Sequence, residues 1–207
     1  MEHSIYIATT NKGKIKDFEA LLSPLGITIT SSSNLMPEVE ETGNTFAQNA
    51  LLKAQALFEI VQKPVIADDS GLSVVTLNGA PGIFSSRYAG LDASDAQNRA
   101  LLLKNLSDTK NRKATFICAI ALVRADGTFA IFEGIAEGEI TTFEQGLDGF
   151  GYDSLFFSSD LEKTFAQSTQ AEKNLVSHRA KALKLLLTDP FFKKKREEHT
   201  YASTSSL

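Results

Sequence analysis

Two long strand-like segments, residues 116–124 and 128–142, flank the dipeptide Asp126-Gly127 near the middle of this 207-residue chain. Asp-Gly suits the positive φ values of a tight turn, so an antiparallel hairpin is predicted here. The N-terminal third is patterned differently. Ile5-Tyr6-Ile7-Ala8 reads as a short buried strand, a polar stretch from Thr9 to Gly13 follows, and residues 15–22 form an amphipathic helix that Pro24 and Gly26 end. A second strand at 27–30 leads to a helix over 45–61, where Phe46, Ala50, Ala54, Leu57, Phe58 and Val61 recur at helical spacing. Pro64 ends that helix before a buried strand at 65–67. Strand–helix alternation calls for parallel neighbours, whereas the hairpin is antiparallel. The two together predict an α/β protein with an elongated mixed sheet flanked by helices.

Further along, residues 72–77 are strand-like, a loop with Gly79, Pro81 and Gly82 follows, and Ser94 can cap a helix reaching about Leu106. A glycine-rich loop at 146–151 precedes a helix over 171–187. No linker separates two domains, so residues 1–192 are expected to form one domain and 193–207 a polar, frayed tail. No apolar run is long enough to cross a bilayer, and the first residues lack a basic-then-apolar leader. The single cysteine, Cys118, excludes an intramolecular disulfide and a cysteine-rich zinc site. A cytoplasmic protein is expected. A net charge of −4 argues against a duplex nucleic acid partner, but a nucleotide needs only a few lysines, backbone amides and a cation.

Five clusters carry candidate chemistry. Thr9, Thr10, Asn11, Lys12, Gly13 and Lys14 lie where a strand gives way to a helix, a place where free amides and lysines meet phosphate. Glu40 and Glu41 precede a helix on which Asn49 and Lys53 share a face. Asp68-Asp69-Ser70-Gly71 follows a buried strand, at the end where α/β sheets place ligands, and its adjacent carboxylates suit a hard cation. An Asx-type turn closing that strand is the plainer reading of the same residues. Gly149-Phe150-Gly151-Tyr152-Asp153 combines close backbone approach with an aromatic face, and tight-turn packing explains it equally well. Lys173, Ser177, His178 and Arg179 cluster around one helix, where a surface histidine is more often structural than catalytic.

In order, the segments ATTNKGK, ETGNTFAQNALLKA, ADDSGL, GAPGIFSSRYAG, GFGYD and KTFAQSTQAEKNLVSHRAKAL resemble those of the inosine triphosphate pyrophosphatase family, the non-canonical purine NTP pyrophosphatases. The resemblance spans residues 5–183. It implies a two-lobed α/β fold with a central cleft, usually a homodimer, and Mg2+-dependent hydrolysis of ITP, dITP and XTP to the monophosphate and pyrophosphate. Carried over by motif, Thr9 to Lys14 and Lys53 would hold phosphates, and Glu41 and Asp69 the metal. Asp69 would also accept the proton of the attacking water, and Ser70 would touch the substrate. Phe150, Gly151, Tyr152 and Asp153 would enclose the base, with Lys173, His178 and Arg179 completing its pocket. Asp17, Ser73, Val75, Ser154 and Gln167 depart from the residues usual at these positions; Ser154 replaces a common proline. The rivals are the related Maf-like nucleotide pyrophosphatases and a nucleotide-binding module without hydrolysis.

Overall fold

The computed structural model describes residues 4–31 and 34–193, so the expected frayed tail at 193–207 falls, but for its first residue, outside the described residues. Strand β1 (Ser4–Ile7) buries Ile5 and Ile7 completely. Helix α1 (Lys12–Leu22) then returns the chain to β2 (Thr28–Ser31), parallel to β1 with Ile5 opposite Ile29. Helix α2 (Phe46–Val61) leads to β3 (Val65–Val74), which pairs in parallel with the other side of β1, Ile7 opposite Ile66. Gln62 ends α2 and Asn78 ends a short helical turn at Val75–Leu77, both in the left-handed conformation that Asn, after Gly, commonly supplies at such ends.

The predicted hairpin is present. Strands β4 (Lys113–Val123) and β5 (Phe129–Ile140) are joined by a turn closed by Arg124 N to Thr128 O at 2.8 Å, with Gly127 at φ 80°. Two short strands that the sequence pattern did not reveal, β6 (Phe156–Ser158) and β7 (Lys163–Thr164), extend the sheet, β6 antiparallel to β5 and β7 antiparallel to β6. The seven strands run in the order β2-β1-β3-β4-β5-β6-β7, a mixed sheet as expected. Further helices among the described residues include α3 (Asp95–Asn105), α4 (Gln170–Val176) and α5 (His178–Leu186). None of the described helices is long and apolar enough to cross a membrane.

Two expectations change. The segment read as two strands with a turn between them is one ten-residue strand, β3, so Asp68 and Asp69 stand mid-strand rather than at a strand end. Asp-Asp-Ser-Gly has turn composition, but pairing within the sheet overrides that local preference. The helix predicted over 171–187 is broken at Ser177, whose extended backbone (ψ 154°) ends α4 while its Oγ accepts from Ala180 N and caps α5.

The chain divides into two compact units: Met1–Asp68 with Ala119–Glu133 and Ala182–Leu207, and Asp69–Cys118 with Gly134–Lys181. Each has its own core. In the first, Ala50, Ala54 and Leu57 of α2 pack on Ala8, Val65, Ala67, Ala119, Ala121 and Val123, and the small residues let the helix approach the strands closely. In the second, larger side chains do the filling: Leu102, Leu106, Phe116, Ile140, Leu155, Phe156 and Phe165. Each fully buried large apolar side chain there contributes about 1.5–3 kcal/mol.

Candidate functional site

In the first unit, the strand–helix junction after β1 is capped from within. Asn11 Oδ1 accepts from the amides of Gly13 (2.9 Å) and Lys14 (3.2 Å), and Thr9 Oγ1 accepts from Asn11 N. Lys12, Gly13 and Lys14 therefore form the first helical turn, and two amides expected to face a phosphate are already satisfied. Thr10, Asn11 and Lys12 remain exposed. Lys14 reaches across to β3, with Nζ 3.1 Å from Asp68 Oδ2 and that carboxylate wholly buried. Removing one partner of such a pair would leave an uncompensated charge inside the protein, which explains why an aspartate is tolerated there.

Helix α2 opens on Thr45, whose side chain accepts from Gln48 N, while Gln48 Oε1 accepts from Asn44 N at 2.7 Å. Asn49, fully buried, accepts from Gly43 N at 2.9 Å, so its amide oxygen organises the preceding loop. A Cβ at Gly43 would lie 2.6 Å from that oxygen, so the position requires glycine. One turn further, Lys53 Nζ lies 2.9 Å from Glu41 Oε1, both side chains partly buried. The acidic loop is thereby folded back onto the lysine that shares a helix face with Asn49.

In the second unit, Asp69 is mostly buried and, as the residue after Asp68 on a strand, points to the opposite face of the sheet. Arg179 at the start of α5 is 1% exposed and donates from Nη2 to Ser70 Oγ at 3.1 Å. Its guanidinium also lies 5.9 Å from the centre of the Phe150 ring. Lys173 on α4 sits 5.1 Å from the same ring and forms a buried ion pair with Asp153, Nζ to Oδ2 2.6 Å. That oxygen also accepts from Phe150 N at 3.0 Å, which ties the loop to the base of the aromatic residue. Tyr152 donates its hydroxyl to Ser85 O at 2.9 Å, and burial, with Tyr88 and Asp95 adding to it, holds that phenol well above its ordinary pKa as a neutral donor. His178 is not on the helix surface. It is buried and stacks on Phe116, ring centres 4.6 Å apart and 10° from parallel.

The structure thus joins Lys14 with Asp68, Glu41 with Lys53, Ser70 with Arg179, and Phe150 with Lys173, Asp153 and Arg179. Motif reading missed Asp95 and Arg99 of α3, which hold the main chain of Gly151: Asp95 Oδ2 accepts from its N–H at 2.7 Å and Arg99 Nη1 donates to its carbonyl at 2.9 Å. Opposite charges four apart look like an ordinary helix-surface pair, so only a three-dimensional view reveals their shared target.

Among the described residues no group of three or more His, Cys, Asp or Glu side chains is gathered as a metal cage. Magnesium does not need one, because it takes one or two carboxylates and completes its shell with water and phosphate oxygens. Glu41 in the first unit and Asp69 in the second are each a hard-oxygen donor of the type magnesium takes.

The chain is similar to known proteins along most of its length. The model of the Ham1 family matches residues 5–204. The dITP/XTP pyrophosphatase of Halalkalibacterium halodurans is 48% identical over 184 residues, covering 87% of this chain and 95% of the relative. That of an Exiguobacterium species is 45% identical over 193 residues, covering 91% and 98%. Among solved structures, the Staphylococcus aureus Ham1 protein is similar with a TM-score of 0.80 and 43% identity, over 89% of this chain and 96% of that one. A HAM1 protein from Coxiella burnetii gives 0.81 and 40% over the same shares. Motifs, fold and overall similarity agree, and this chain belongs to the Ham1 family.

Proposed function

We propose that this protein hydrolyses ITP, dITP and XTP to the nucleoside monophosphate and pyrophosphate. The observation that carries the reading is its 48% identity to a dITP/XTP pyrophosphatase over 184 residues. The chemistry of the site residues supports it. Phosphoryl and nucleotidyl transfer is mainly positioning and charge neutralisation, and Lys12, Lys14 and Lys53 supply cations for a triphosphate. Glu41 and Asp69 would hold Mg2+, which, when bound, neutralises charge developing on the phosphate oxygens. Asp69 would accept the proton of the attacking water. Glu41 and Lys53 neutralise one another, and a cation on the carboxylate with a phosphate on the ammonium would replace that pair.

The residues of the second unit suit a purine. Phe150 offers a stacking face flanked by two cations, and Arg179 is a buried donor. A donor directed at position 6 matches the oxo group of hypoxanthine or xanthine and mismatches the amino group of adenine. A buried polar mismatch of that kind discriminates strongly. Mg2+ dependence and a homodimeric state belong to the same reading and follow from the family resemblance, and a cytoplasmic place accords with a nucleotide substrate.

The test is pyrophosphate release from dITP, XTP and ATP with and without Mg2+, alongside Asp69→Asn. Release from dITP and XTP but not ATP, lost with chelator and in the variant, is expected. Unchanged turnover in Asp69→Asn would remove that residue from the mechanism.

A further inference from the structure

The loop from Gly146 to Tyr152 is costly to order. Gly146, Gly149 and Gly151 all have positive φ (87°, 82° and 60°), and glycine loses more backbone freedom on ordering than any other residue. One side of the loop is fixed by the buried Asp153–Lys173 pair. The other side is fixed by α3, through side chains no motif assigns.

We propose that Asp95 and Arg99 are positioning residues that grip both main-chain groups of Gly151 and so fix the ring of Phe150 for the base. The proposal rests on the reading above, in which Phe150 stacks on the purine. Asp95 takes the N–H of Gly151 and Arg99 its carbonyl, bracketing the residue directly after Phe150. Arg99 is itself held, with Nε 2.9 Å from Glu144 Oε2, and Glu144 accepts from Ser154 Oγ at 2.9 Å. Partial burial works against the Glu144 charge, but Arg99 and Ser154 outweigh it and keep the carboxyl below its ordinary pKa. The serine that stands where the family commonly has proline thus completes a network from α3 to both ends of the loop, a link that a proline side chain has no donor to make.

Three variants of the full chain test this: Asp95→Ala, Asp95→Asn and Arg99→Met. Asp95 also stands in the first turn of α3, where its charge favours the helix dipole. Alanine and asparagine remove that charge equally, but only asparagine retains an acceptor for Gly151 N–H. Hydrogen exchange is followed on a peptide spanning 146–154 without nucleotide, with KM and kcat for dITP measured in parallel. Asp95→Ala and Arg99→Met should lose protection in this peptide and raise KM on the order of tenfold with kcat within about twofold, as expected for loss of a charge-assisted hydrogen bond. Asp95→Asn should stay near the parent in both. Equal behaviour of the alanine and asparagine variants, or unchanged exchange in Arg99→Met, overturns the grip. Lost protection with unchanged KM overturns its effect on the base. If the parent itself releases no pyrophosphate, the proposed function fails, while exchange still decides whether the grip exists.

Discussion

Asp153→Asn isolates the buried ion pair on which the glycine-rich loop depends. Both side chains of the Lys173–Asp153 pair are at most 7% exposed, and their heavy atoms are 2.6 Å apart. Asparagine keeps the size and an oxygen able to accept from Phe150 N, so the change removes chiefly the negative charge. Breaking one side of a buried pair costs about 3–5 kcal/mol because the remaining charge is stranded. The ammonium's contacts with the faces of Phe150 and Phe165, 5.1 and 5.6 Å away, are the same before and after the change, while the asparagine oxygen still accepts from the ammonium and keeps the loss at the low end of that range. The net loss is therefore about 3 kcal/mol. For a chain of this length that corresponds to a fall in Tm of roughly 6–12 °C. Thermal unfolding followed by circular dichroism measures it, with Lys173→Met and the double variant completing the cycle. The double variant should be less damaged than the sum of the singles, since it strands no charge. A loss below about 1 kcal/mol for Asp153→Asn, or strict additivity in the cycle, would refute the claim that this pair is buried and coupled.

Three further outcomes follow from the same geometry. Phe150→Ala should weaken substrate binding by about 1–3 kcal/mol, the range for base–aromatic stacking, read as a rise in KM for dITP; an unchanged KM would place the base elsewhere. Gly149→Ala should destabilise by more than about 1 kcal/mol in chemical denaturation, because φ is 82° and the added Cβ would lie 2.2 Å from Asp153 Oδ2. Glu172 donates nothing but accepts from Lys163 and from the amide and hydroxyl of Thr169, and these bring its pKa from 4.5 to about 2. A carboxyl with a depressed folded pKa stabilises above its unfolded value and loses that contribution as pH falls through the window from 4.5 to about 2. The Tm of Glu172→Gln should accordingly vary less than the parent's across that window; parallel curves would contradict the assignment.

Much of the architecture was readable because local signals and tertiary demands coincide. Asp126-Gly127 between two strand-like segments marks a hairpin, and Ser94 marks the capped start of α3. The failures came where they conflict. Asp68 to Gly71 is turn-like by composition, yet β3 runs through it, with Lys14 neutralising Asp68 and Ser85 Oγ accepting from Leu72 N. Neither partner is near in sequence. The break between α4 and α5 rests on one serine, which is unremarkable in composition until its hydroxyl is seen capping Ala180 N. At the site, single-residue chemistry was legible and pairing was not. Lys53 stood out beside Asn49, but Asn49 turned out to organise Gly43, and His178 proved to be a buried ring against Phe116.

The position of the bond that breaks is the central claim, and product identification after incubation with ITP and Mg2+ tests it most directly. IMP together with pyrophosphate is the predicted result. IDP together with orthophosphate would mean that attack falls on the terminal phosphorus, and would contradict the account.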